Sequence, residues 1–98
     1  MKLRWLRRAS DDLLHHADEI ALVSPRAAIE VTDRLLAAVE ALRDGRAAGR
    51  PIGGGVRELR VVGTRLSLFY RINQETERIE ALHVAQAEEP WAEQSQEI

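Results

Sequence analysis

The stretch "GVRELRVVGTRLSLFYRI", residues 55–72, decides the fold. Its second half alternates strictly, with Leu66, Leu68, Tyr70 and Ile72 on one face and Arg65, Ser67, Phe69 and Arg71 on the other. Val56 to Val62 precedes it across a turn at Gly63-Thr64, so the stretch reads as two paired strands. It also holds four arginines, Arg57, Arg60, Arg65 and Arg71, against one acid, Glu58, in a chain whose formal net charge is -2. So many cations in a strand pair call for an acidic partner, or for solvent along an open sheet face, where arginine stems cover apolar surface well. Both explanations stand at this level.

Downstream, Asn73 to Glu77 is a polar hairpin loop, and Ile79 to Ala85 is apolar on both faces, as a strand inside a sheet should be. Upstream, Lys2 to Leu6 reads as a short strand. Ala9, Leu13, His16, Ala17 and Ile20 then recur at steps of three and four, one stripe of a helix. Ser24-Pro25 stops that helix and starts another, because proline disfavours helix before it while serine caps and proline fits the first helical position. Ala28, Val31, Leu35, Val39 and Leu42 line one face of the second helix, which Asp44-Gly45 ends. Arg46 to Gly55, with four glycines and a proline, reads as a loop. Gly53-Gly54-Gly55 is a flexible connector and not a phosphate cradle, since a helix precedes it and a strand follows.

The expected architecture is α+β: an N-terminal strand, an antiparallel helical hairpin, then a three-stranded antiparallel meander completing a four-stranded sheet. Residues 1–87 form one domain, and residues 88–98 an acidic flexible tail with four glutamates and no base. Without that tail 14 basic residues face 12 acidic ones, a net of +2. From Arg46 to Arg71, six arginines face one acid. This is too weak for a free nucleic-acid binder but suits a patch aimed at one acidic partner. No apolar run suffices for a membrane span. The absence of cysteine removes disulfides and thiolate metal sites and fits a reducing cytoplasm.

The ordered set "KLRW", "RRASDDL", "SPRAAIEVTDRLLAAVEAL", "GRP", "VRELRV", "LFYRI" and "IEALHV" resembles the RelE/ParE superfamily of toxins, the ParE branch in particular. The resemblance implies the toxin of a type II toxin–antitoxin system of the plasmid-stabilization kind, without cofactor or metal. A cognate antitoxin would neutralise it through an acidic C-terminal segment that folds on binding. ParE-like members are implied to inhibit growth by binding DNA gyrase, RelE-like members to cleave messenger RNA on the ribosome. For ribonuclease chemistry the candidates are Arg57, Arg65 and Arg71 to offset phosphorane charge, with Tyr70 or His83 for proton transfer. The bland readings are a core ring for Tyr70 and a strand-face residue for His83.

Where relatives commonly carry a His-Gly pair and then an arginine, this chain reads Gln86-Ala87-Glu88-Glu89. Acids beside a scissile phosphate would repel it. The sequence therefore leans towards a binding toxin, with a ribonuclease, or a non-toxic member that only binds antitoxin, as alternatives. Target- or antitoxin-binding candidates are Arg57, Arg60, Arg65, Arg71, His83, Gln86 and Trp91. Asp12 and His16, or His15 and Glu19, have helical i,i+4 spacing, but two ligands make no metal site, and a solvated helix face is expected.

Overall fold

A computed structural model of the chain describes residues 1–86, so Trp91, the 87–89 stretch and the expected tail lie outside the described residues. The elements are β1 (Lys2–Trp5), α1 (Arg7–Val23), α2 (Pro25–Arg43), β2 (Arg50–Gly53), β3 (Val56–Arg60), β4 (Leu66–Asn73) and β5 (Arg78–Gln86). The helical hairpin forms for the expected reasons. Ser24 Oγ accepts the Ala27 N–H at 3.2 Å, Pro25 opens α2, and Gly45 takes a left-handed φ of 75° past its end.

Leu35, Val39 and Leu42 of α2 and Ala9 of α1 form one core with Leu66, Leu68 and Tyr70 of β4 and Ile79, Ala81 and Val84 of β5. Each large apolar side chain removed from water here contributes about 1.5–3 kcal/mol. The strict alternation of β4 thus aims its apolar face at the hairpin, as the sequence requires. The opposite face carries a smaller cluster of Phe69 and Ala85 with Ile52 and Val56.

The sheet corrects the sequence reading twice. It has five strands instead of four, in the order β1-β5-β4-β3-β2, and it is mixed instead of antiparallel, because β1 pairs parallel with β5. The added strand is β2, from the segment read as a loop. Pro51 cannot donate a ladder hydrogen bond, but β2 is an edge strand, where proline is tolerated. Gly54 and Gly55, both at positive φ, make the two-residue turn into β3, so the glycine run is a hairpin turn. The last three strands do form an antiparallel meander.

One irregularity matters for the site. Phe69 pairs with His83 while the next residue, Tyr70, pairs with Ala81, so Leu82 is an extra residue in β5. This bulge resets the alternation and turns His83 to the face opposite the hairpin.

Candidate functional site

Arg57 and Tyr70 are cross-strand partners on the hairpin-facing side of the sheet. Both hold the chain leading into β2. Gly49 donates its N–H to the Tyr70 hydroxyl at 2.7 Å, and Arg57 Nη1 donates to the Gly49 carbonyl at 3.0 Å. Tyr70 is buried, its ring in the core and its hydroxyl on Gly49. No side chain fits at Gly49, where a Cβ would lie 2.7 Å from the Glu58 carbonyl oxygen.

The opposite face is organised around two buried acids. Glu58, only 4% exposed, accepts from Arg50 Nη2 at 2.8 Å and from Ser67 Oγ at 2.7 Å. Glu80 accepts from Arg71 Nε at 2.7 Å. That Arg71 hydrogen bond holds the Glu80 carboxyl below its ordinary value of 4.5, with Asn73 and Arg4 adding to it against the opposing effect of burial. A lowered folded value stabilises the fold fully above the unfolded value, and the gain disappears as pH falls through the folded one. An Arg71→Met variant should therefore be less stable than the parent above about pH 5, with the gap closing at lower pH. Urea midpoints across that range measure it. A gap independent of pH would separate the Arg71 effect from Glu80.

His83 is the third polar group buried near this face, stacked on Phe69 with ring centroids 5.8 Å apart. Beyond Ala81 the edge of β5 is no longer paired with β1, and α1 covers it. Asp12 Oδ2 accepts the Val84 N–H at 3.1 Å and also meets His83 Nδ1, while His16 Nε2 lies 3.1 Å from the Val84 carbonyl oxygen. The i,i+4 pair expected on a solvated face thus satisfies one backbone unit of an open strand edge. His15 and Glu19, by contrast, are exposed, with His15 Nε2 3.1 Å from Glu19 Oε1.

Arg60 and Arg65 are both exposed. Arg60 lies at a groove of about 280 Å³ between α2 and β3, floored by Ala37, Ala38, Ala41 and Ala47. Across it stands Arg34, whose Nη1 lies 3.4 Å from the Val62 carbonyl oxygen. The groove is mainly apolar, with Arg34 of α2 and Arg60 of β3 among the residues lining it. Arg65 and Gln86 meet at a separate cleft of about 250 Å³ with His16, Glu19 and Ile20. The residues proposed for RNA chemistry do not converge: Arg57 and Tyr70 lie on one face, Arg71 and His83 on the other. Among the described residues no three His, Cys, Asp or Glu side chains gather as a metal site.

Sequence reading passed over Arg34, which sits off the apolar stripe of α2 and looks like an ordinary solvated cation. Asp12 and Glu80 were missed as anchors of His83 and Arg71. For Glu80, as for Glu58, the signal was an acid inside a strand, "RIEAL" and "VRELR", where burial demands a partner; Asp12, on a helix, carried none.

The comparisons with known proteins agree with this architecture. A chain of the chromosomal ParDE toxin–antitoxin system from P. aeruginosa superposes with a TM-score of 0.76 at 27% identity, covering 90% of this chain and 97% of that one. A chain of the toxin–antitoxin complex RelBE2 from Mycobacterium tuberculosis shares the fold, with a TM-score of 0.54 at 22% identity, covering 87% of this chain and 95% of that one. No curated protein matches the chain. The model of the ParE toxin family of the type II toxin–antitoxin system parDE matches residues 3–91, and the chain belongs to that family.

Proposed function

We propose that this toxin inhibits growth by binding, with DNA gyrase as its target, and that its antitoxin neutralises it by laying an acidic, amphipathic C-terminal segment in the groove between α2 and β3. The observation carrying the first part is the division of labour among the ribonuclease candidates. Tyr70 and Arg57 hold Gly49, Arg71 holds Glu80, and the two pairs lie on opposite faces of the sheet. Transition-state stabilisation of a phosphorane needs its donors converging on one point. The groove supports the second part. Its alanine floor leaves room for larger apolar side chains, and Arg34 and Arg60 match carboxylates flanking them.

One observation favours the ribonuclease as second reading: the Asp12 carboxylate on His83 Nδ1 is the arrangement that orients a general base. Inducing the chain alone in bacteria, while following viability, a DNA-damage reporter and transcript integrity, separates the readings. Growth arrest with a damage response and intact transcripts is expected, and co-expression of the cognate antitoxin should restore growth. Transcript cleavage would replace this reading with the ribonuclease. Unimpaired growth would leave a member that binds antitoxin without toxicity.

A further inference from the structure

The parallel pairing of β1 with β5 gathers cations that are far apart in sequence. On the face opposite the hairpin Lys2 lies beside Arg78, Arg4 beside Glu80, and Arg71 across from Glu80. The register puts Lys2 and Arg78 directly side by side, a like-charge juxtaposition that destabilises a sheet. Glu80 is hydrogen-bonded by Arg71, and Arg4 acts on it only through space; among the described residues Lys2, Arg4 and Arg78 make no direct ion-pair contact. All three are exposed. The patch holds four cations and one acid, a net of +3, within about 7 by 10 Å as strand geometry sets the spacing.

We infer that this corner of the sheet is a contact surface for the phosphate backbone of a nucleic acid. Two features favour that polyanion over an acidic polypeptide. The side chains on this part of the face are Lys2, Arg4, Arg71, Asn73, Arg78 and Glu80, all polar, whereas a protein partner needs an apolar centre to its interface. Three of the four cations are arginines, whose planar forks match phosphate oxygens. No exposed aromatic ring lies among them to stack a base, so the contact is to backbone and independent of sequence. The overall charge of the chain does not argue against this, because the patch is assembled by topology from three separate segments. Nor does the inference rest on the gyrase or antitoxin reading.

The test is fluorescence anisotropy of a labelled duplex DNA of mixed sequence, titrated with the toxin at several salt concentrations. Three phosphates neutralised by Lys2, Arg4 and Arg78 give a slope of log affinity against log salt of about −3, at roughly −0.9 per contact. A Lys2→Gln, Arg78→Gln double variant should reduce the slope to about −1 and weaken binding at least about tenfold at low salt. Arg26→Gln, a substitution on α2 away from this face, should leave both near the parent values. Because Lys2 and Arg78 are exposed and repel each other, the double variant should be at least as thermally stable as the parent, which excludes misfolding as the cause. Equal affinity and slope for parent and double variant would overturn the proposal, as would no binding at low salt. Displacement of the duplex by polyglutamate at equal charge concentration would overturn it in favour of an acidic peptide site.

Discussion

Gly49→Ala should destabilise the fold by about 3 kcal/mol. The new Cβ would sit 2.7 Å from the Glu58 carbonyl oxygen and 2.9 Å from a Tyr70 ring carbon. The first neighbour is strand backbone and the second a buried ring, so neither moves away cheaply. Overpacking of this kind costs about 1–3 kcal/mol. Displacing Gly49 also breaks its hydrogen bonds to Tyr70 and Arg57, leaving a buried hydroxyl or amide unsatisfied at about another 1–3 kcal/mol. For a domain of this size about 3 kcal/mol lowers the melting temperature by roughly 15 °C. Gly45→Ala is the contrast. It has the left-handed φ but open space around it, and should cost only about 1 kcal/mol. Calorimetric melting of the two variants decides the matter. Equal, small effects would mean that the 2.7 Å approach does not constrain the fold.

The largest expected effect on binding is at the groove. Reversing Arg34 and Arg60 together to glutamate should weaken antitoxin binding by about 3 kcal/mol, some hundredfold, because truncating one partner of a buried charge pair alone costs 2–5 kcal/mol. Both side chains reach their positions from the surface, so folding should change little. Ala37→Trp tests the same site without touching charge, by filling the groove from an exposed position on α2. Calorimetric titration of each variant with the cognate antitoxin is the measurement. Parent-like affinity in both variants would place the antitoxin elsewhere, the cleft at Arg65 and Gln86 being the next place to examine. Arg57 and Arg71 make poorer probes of binding, since each holds part of the fold and its removal would confound stability with affinity.

What the sequence determined is local. The period of two from Leu66 to Ile72, the period near four in both helices, the Ser24-Pro25 restart and the glycine past Asp44 each act through neighbours in the chain. The elements they specify are present at those positions. The largely apolar run from Ile79 to Ala85 likewise required a strand inside the sheet, and β5 lies between β1 and β4, although one of its faces carries the buried polar Glu80 and His83 rather than only apolar side chains. Other features required the tertiary structure because they depend on which strand lies beside which. A four-residue edge strand such as β2 has no periodicity to read and contains glycine and proline, so only its pairing with β3 distinguishes it from a loop. The parallel docking of β1 on β5 is set by where α1 can return to cover the remaining edge, through Asp12 and His16 at Val84. The fate of the arginines followed from the same packing. Arg57, Arg60, Arg65 and Arg71 look alike along the chain, yet one holds a glycine carbonyl, one a buried carboxylate, and two face solvent. A charge is assigned to structure or to a partner by the acceptor that folding brings within about 3 Å, and sequence order alone does not place that acceptor.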